Sequence, residues 1–221
     1  MRLKKYSQKY LPLVFLVLLS TELLSCKKGQ SFKFGGQDLF AFGAQDSCHF
    51  NRNSMGVRIS WKASLPVNLL IHKSVPTIYD KDIIAAANLW NTAKGKTLIN
   101  VIRDDSFANG VTNDGHNVIF WSTDWDASNS KEQALTSTNT DLSRITDADI
   151  RINAKNFGYS VTAQSAGSSA VNLESLILHE MGHVLGLQHF DGDGVMSTYL
   201  PNGKTRLNLS SNELSELSCE Y

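Results

Sequence analysis

Three histidines and one glutamate within eleven residues make the segment from His179 to His189 the strongest candidate for chemistry. His179 and His183 are four positions apart, so on a helix both imidazoles lie on one face. Two such nitrogens at about 2 Å suit a tetrahedral zinc ion, and Glu180 is a candidate general base on the metal's open side. Gly186 accepts left-handed backbone angles, which would end the helix and bring His189 to a third ligand position. The fourth position stays open, as a catalytic zinc site requires.

The alternative for this segment is a surface helix that carries solvated histidines. That alternative leaves unexplained why three of the six histidines of the chain fall so close together. The other three, His49, His72 and His116, have no ligand spacing and are expected to be surface or core residues.

A methionine follows the third histidine in the stretch GDGVMSTY. The pattern H-E-x-x-H-x-x-G-x-x-H followed by a methionine turn marks the metzincin clan. The chain resembles the matrixin-like members of that clan, bacterial forms especially, over roughly residues 55–221. The resemblance extends to the stretches WKASLPVNLLIHKSVP, AANLWN, ITDADIRIN and LSSNELSEL. It implies a zinc endopeptidase with a protein or peptide substrate, in which Met196 packs under the zinc ligands.

The residues after Met196 are candidates for the substrate pocket. Some metzincins have a tyrosine two residues past the methionine that assists the zinc site, whereas Tyr199 here lies three residues past it. We therefore expect Tyr199 to form a wall of the specificity pocket, together with Leu200 and Pro201.

The pattern along the chain predicts strands followed by helices, which indicates an α+β domain. A capping box at Thr77 to Asp80 predicts a helix from Thr77 to about Ala93. Asn172 is a good N-cap for an active-site helix that runs to about Leu185, and Ser210 to Glu213 opens a last helix. The strands are expected at residues 57–61, 67–72, 98–102, 118–121, 133–137 and 149–153. The resemblance implies a twisted mixed sheet, with a long active-site helix and a small C-terminal helical part.

Ile150 and Ile152 alternate with polar residues in the strand 149–153, which is a pattern typical of an edge strand. In the matrixin-like family the equivalent strand borders the cleft and pairs with an extended substrate. Such pairing supplies main-chain hydrogen bonds with little demand on the substrate's sequence.

Length and composition predict one soluble globular domain with additional segments. The chain has 221 residues, 42% hydrophobic and 19% charged, with a formal net charge of zero. No basic patch typical of nucleic-acid binding is present, and we expect a monomer.

Residues 1–25 resemble the signal peptide of a bacterial lipoprotein, with a basic start and a short apolar run. Leu23-Leu24-Ser25-Cys26 resembles a lipobox, in which Cys26 would be lipidated and would anchor the exported chain to a membrane. Ordinary secretory cleavage beside an incidental cysteine is the alternative. Residues 26–50 are expected to be a tether, and residues 51–221 the catalytic domain.

Cys48 and Cys219 are the pair that remains if Cys26 is lipidated. Exported proteins fold in an oxidising compartment, so we expect a disulfide between the two. One alternative is a cysteine switch, in which the Cys48 thiolate caps the zinc, although its flanks lack the family's inhibitory pattern. Two unpaired thiols are the other alternative.

Two acidic pairs, Asp104-Asp105 and Asp124/Asp126, are candidate calcium ligands, as members of the family often bind calcium. Solvated turns are the alternative, because a calcium site needs six or more oxygen ligands.

Two further functions stay open for the domain as a whole. One is a zinc hydrolase of a non-protein amide, such as a cell-wall cross-peptide. The other is a catalytically idle binding protein on the same scaffold, which loss of Glu180 or of a ligand would indicate; none is lost.

Overall fold

A computed structural model describes residues 48–106, 113–165 and 167–221, and the backbone of residues 33–34 and 37–38. The chain divides into two units, Met1–Asp46 and Ser47–Tyr221. In the first, the strands β1 (Lys33–Phe34) and β2 (Gln37–Asp38) pair antiparallel. The expected signal peptide, Cys26 and most of the expected tether lie outside the described residues.

A five-stranded mixed sheet forms the body of the second unit, in the order β4-β3-β5-β7-β6. The first four strands in this order run parallel, and β6 pairs antiparallel with β7 at one edge. The strands are β3 (Val67–Ile71), β4 (Ile99–Arg103), β5 (Asn117–Ser122), β6 (Ala134–Asp141) and β7 (Arg144–Asn153). A short parallel pair, β8 (Tyr159–Ser160) and β9 (Val171–Asn172), precedes the helix that carries the first two histidines.

The described part of this unit also contains three α-helices: α1 (Asp80–Lys94), α2 (Leu173–Val184) and α3 (Ser211–Ser218). The indole Nε1 of Trp90 on α1 donates to the Leu178 carbonyl of α2 at 2.9 Å, and this tryptophan is fully buried. Burying the indole while its N–H is satisfied avoids the cost of an unpaired polar group. The two helices are thereby packed together in the core. The mixed sheet and the helices together confirm the predicted α+β class.

The predicted edge position of residues 149–153 is wrong, because β7 lies inside the sheet and β6 forms the edge. Three polar residues of β7, Asp147, Asp149 and Asn153, are buried instead of facing water. Asp149 accepts from the Val118 amide at 2.9 Å, and Asp147 accepts from the Gly115 amide at 3.0 Å. Buried carboxylates with hydrogen-bond donors give the same sequence alternation as solvent-facing ones.

The segment 57–61 does not form the predicted strand and has only isolated bridges at Arg58 and Ser60. Its hydrogen bonds go to different partners, since Ile59 donates to Asn51 while Ser60 pairs with residues 143 and 145. No single neighbour can therefore extend a ladder along this segment.

The predicted capping box at Thr77 is also wrong. Thr77–Tyr79 is a 3₁₀ turn, no side chain caps it, and α1 begins at Asp80. The Asp80 carboxylate binds the Arg103 guanidinium instead of a helix amide, with Nε to Oδ2 at 2.9 Å. Gly95, at φ 70°, ends α1 close to the predicted position.

Within the described residues, no helix combines the length and the apolar character needed to cross a bilayer.

Candidate functional site

Helix α2 begins where the sequence predicted and carries the first two histidines. The Asn172 side chain accepts from the Ser175 amide at 2.9 Å, so one of the unpaired amides of the first turn is satisfied. The Asn172 amide group in turn donates to the Ser165 hydroxyl at 2.6 Å. This cap fixes the start of the helix, and with it the angle at which His179 and His183 face the cavity.

The three histidines converge on one point. The Nε2 atoms of His179, His183 and His189 lie 3.1 Å from one another in each of the three pairs. The Nδ1 of His179 lies 2.7 Å from the Val195 carbonyl, and that of His183 lies 2.8 Å from the Leu187 carbonyl. A carbonyl only accepts, so both Nδ1 atoms carry the proton and both Nε2 lone pairs are left for a metal.

His189 reaches this point because the chain reverses at Gly186, whose φ is 96°. A Cβ at this position would lie 2.5 Å from the Ile59 carbonyl oxygen. The segment 48–52, here called the strap, runs alongside the reversal. Asn51 donates to the Gly186 carbonyl at 2.9 Å, and Gln188 donates to the His49 carbonyl at 2.7 Å. Sequence reasoning predicted the glycine but missed the strap, which has no local signal.

A disulfide joins Cys48 of the strap to Cys219 at the end of α3, across 171 residues. The predicted pairing is thus present, and the cysteine switch and the unpaired thiols are wrong for this structure because both sulfurs are bonded to each other. The strap is also bonded to α3 by polar contacts, since His49 Nδ1 lies 2.8 Å from the Glu216 carboxylate.

Burial and mutual repulsion act on the ionisable groups of the site. The pKa of His179 falls to about 4, first because burial disfavours the charged ring and then because His183 is close. The same two causes lower the pKa of His189 to about 4. Neutral imidazoles are the form that binds metals, so both rings are ready as ligands at neutral pH.

Glu180 is 5% exposed and lies beside the histidines. Burial raises the pKa of its carboxyl, while His183, the hydroxyl of Thr136 and His189 act in the opposite direction. A buried carboxylate with a raised pKa suits a group that must take up a proton and release it again.

Met196 is fully buried beneath the helix. A Cβ at Gly182 would overlap its sulfur, so the glycine inside the H-E-x-x-H segment is needed for the methionine to pack there. The Met196 amide donates to the buried Glu213 carboxylate at 3.1 Å, and Glu213 also completes the predicted capping box with Ser210. Sequence reasoning identified Met196 and the cap but not the roles of Gly182 and Glu213 in joining the methionine turn to α3.

A cavity of about 400 Å³ opens in front of the histidines. Strand β6 forms one wall and the loop after Met196 another. Tyr199 and Leu200 are among the lining residues and Pro201 is not. Their role in a specificity pocket stays a prediction. Sequence reasoning missed Thr136 on β6 and Arg206, whose guanidinium donates to the Tyr199 carbonyl at 3.2 Å. These residues lie far from the motif in sequence, and no local spacing could have identified them.

The acidic pairs proposed for calcium make local contacts. Asp104 accepts from the amide and the hydroxyl of Ser106, and Asp126 caps a 3₁₀ turn by accepting from the Ser128 amide at 2.9 Å. Neither pair belongs to a cluster of three metal-binding side chains among the described residues, where such clusters are formed by the three histidines and by Cys48, Glu216 and Cys219.

Comparisons with known proteins identify a family. A family model described as Matrixin matches residues 67–220. A similar solved structure is metalloproteinase-II from Bacteroides fragilis, with 16% sequence identity and a TM-score of 0.42. The match covers 70% of this chain and 53% of that one, so this chain spans about half the length of the solved protein. A search of curated proteins found no match.

Proposed function

Because the chain belongs to the matrixin family, we propose that it is a zinc-dependent endopeptidase, with His179, His183 and His189 as ligands and Glu180 as the general base. The observation that carries the proposal is the convergence of three imidazole Nε2 atoms beside a buried carboxylate.

The donor set fits zinc. Three corners of a tetrahedron with metal–nitrogen bonds of about 2.0–2.1 Å are about 3.3 Å apart, close to the 3.1 Å found between the Nε2 atoms. Three unprotonated lone pairs that face one another repel unless a cation lies between them. The backbone carbonyls that hold the Nδ1 protons of His179 and His183 are the outer partners that orient ligands in metal sites.

The zinc site and Glu180 have separate roles in peptide hydrolysis. Zinc, when bound, supplies a Lewis acid that activates water and polarises the scissile carbonyl. Glu180 takes the proton from the attacking water and passes it to the leaving amine, which becomes a neutral product. The low exposure of the carboxylate keeps bulk water from competing for that proton.

Strand β6 supports a peptide as the substrate. Its residues from Ala134 to Thr136 line the cavity, and its other side is already paired with β7. An edge strand offers unpaired backbone groups to an extended chain. This favours a peptide over a non-protein amide, which would have no use for such an edge. The pairing with an extended substrate, which the family resemblance implied for residues 149–153, is therefore proposed for β6.

We further propose that the chain is an exported lipoprotein, anchored by acylation of Cys26, and that it acts as a monomer. The motif at residues 23–26 supports the anchor. Cys26→Ser should release the protein from bacterial membranes or leave it unprocessed. A free, unmodified α-amine on Cys26 in the mass spectrum of the native N-terminus would contradict the anchor.

The test of the enzymatic proposal is cleavage of a peptide library by the mature protein, with and without a chelator. Cleavage within peptides that stops on chelation and returns with zinc supports the proposal. Cleavage of cell-wall cross-peptides alone would favour the non-protein hydrolase, and zinc binding without any hydrolysis would favour the idle binding protein.

A further inference from the structure

The hydroxyl of Thr136 on β6 contacts the carboxylate of Glu180 on α2. The Thr136 Oγ1 lies 2.5 Å from Glu180 Oε2 and 3.3 Å from the Glu180 carbonyl oxygen. A threonine hydroxyl has one proton to donate, and the shorter, charge-assisted contact is the stronger of the two. The hydrogen bond therefore runs from Thr136 to the carboxylate.

This contact is the principal restraint on the carboxylate. In the described part of the chain, Thr136 is the one residue that donates a hydrogen bond to the Glu180 side chain. Rotation about the last bond of a glutamate side chain has only weak preferences of its own. Fixing Oε2 against β6 sets the plane of the group and leaves Oε1 as the oxygen without a donor among the described residues.

Strand β6 can hold the hydroxyl still. Thr136 pairs in register with Ile150 of β7, which is fully buried, so the backbone at this point is tied to the core. The branched Cβ of threonine restricts its first side-chain torsion. The position of the Glu180 carboxylate is therefore fixed relative to β6, because the strand, the threonine side chain and the hydrogen bond each have little freedom to move.

We infer that Thr136 is a positioning residue for Glu180, which holds the carboxylate in the orientation that takes up the proton and couples the base to the strand along which substrate lies. The inference rests on the proposed function. Thr136 is not proposed to contact the metal or the reacting atoms, and it acts through Glu180 alone.

The test compares three variants loaded with zinc. Thr136→Val keeps the shape without the hydroxyl, Thr136→Ser keeps the hydroxyl, and Thr140→Val removes a hydroxyl from the same strand at an exposed position outside the cavity. A general base contributes about 10²- to 10⁴-fold to the rate, and loss of the group that orients it should cost a part of this, about 10- to 100-fold. We expect that loss in kcat for Thr136→Val, with KM and zinc content unchanged, recovery of most of kcat in Thr136→Ser, and no loss in Thr140→Val.

A binding measurement makes the test independent of peptide cleavage. Acetohydroxamic acid chelates zinc through two oxygens and gives up a proton, which Glu180, the carboxylate that lines the cavity with the three histidines, can accept. Its Kd should rise about tenfold in Thr136→Val, because the carboxylate that takes up this proton is no longer held in place. In a Glu180→Ala background the Thr136→Val change should have no further effect, because the group it acts on is gone.

The outcomes separate the two proposals. A wild-type protein that binds zinc and hydroxamate without cleaving peptides would rule out the proposed endopeptidase activity. The hydroxamate affinities of the variants would still test the positioning role of Thr136. Thr136→Val equal to wild type in both measurements would overturn the inference. So would Thr136→Ser as impaired as Thr136→Val, since packing and not the hydroxyl would then matter, or a further loss in the Glu180→Ala background.

Discussion

The ligand segment, residues 172–196, and the brace, formed by the strap 48–52 and the C-terminal residues 211–221, differ in what they contribute to one site. The ligand segment carries every group proposed to react or to bind zinc. The brace carries none of these groups but bonds to the reversal at Gly186 through backbone contacts and closes on itself through the disulfide. Even the last residue takes part, since the Tyr221 hydroxyl donates to the Leu185 carbonyl at 2.6 Å.

The groups proposed to react and the contacts that stabilise the fold therefore lie in separate regions of the molecule. Changes in the ligand segment should reduce turnover in a protein that still folds. Changes in the brace should lower the free energy of unfolding in a protein that still turns over. Changes at the contact between the two regions should do both.

The largest effect is expected for Glu180→Gln, which keeps the shape of the side chain and removes its basic oxygen. General bases contribute roughly 10²- to 10⁴-fold, so kcat should fall by at least about 10². The free energy of unfolding should stay close to that of the wild type. Steady-state kinetics and urea denaturation check the two halves, and near-normal turnover would mean that the base lies elsewhere.

The next effect belongs to the brace. Cys48→Ser/Cys219→Ser removes a cross-link over 171 residues, and loss of such a bond costs about 2–5 kcal/mol of unfolding free energy. Activity per folded molecule should not rise. Thiol titration of the unfolded wild type without reductant should find neither cysteine reactive. Two reactive thiols, with a variant more active than the wild type, would restore the cysteine switch.

The two regions meet at Gly186, so Gly186→Ala tests their contact. A positive φ costs an alanine about 1–2 kcal/mol, and its Cβ would also press on the Ile59 carbonyl oxygen. Both the unfolding free energy and zinc affinity should fall, because His189 depends on this reversal. The matched control is Gly158→Ala, whose Cβ would meet nothing within 4 Å. If the two variants had the same unfolding free energy and the same zinc affinity, the reversal at Gly186 would not be needed to position His189.

The local predictions succeeded where the physics is local. The spacing of His179 and His183, the cap at Asn172 and the turn at Gly186 each depend on residues within a few positions, and each is present. These signals were sufficient to predict that the three histidines converge, without any knowledge of the sheet.

The predictions failed where distant residues decide. Asp149 was predicted to lie in an edge strand, yet it is buried and accepts from the Val118 amide, 31 residues away. Thr136 meets Glu180 across a separation of 44 residues. Hydrogen bonds of this range leave no periodicity in the sequence, so the identity of the edge strand and the outer partner of the base had to come from the structure.

The smallest effect concerns the metal-free protein at mildly acid pH. Unfolded histidines bind protons near pH 6.5, whereas His179 and His189 have a pKa of about 4 in the fold. The unfolded state therefore binds more protons, and stability should decline as pH falls from about 6.5 toward 4. His179→Gln/His189→Gln should show a shallower decline in urea denaturation at pH 7 and pH 5. An equally steep decline in both proteins would contradict the lowered pKa values.

The proposal that the three histidines bind zinc is tested most directly by the zinc content of three dialysed proteins, measured by inductively coupled plasma mass spectrometry. We expect about one zinc per chain in the wild type and in Glu180→Gln, since the glutamate is not proposed as a ligand, and none in His183→Ala. Full peptide-cleaving activity in a zinc-free wild type, or one retained zinc in a folded His183→Ala, would contradict it.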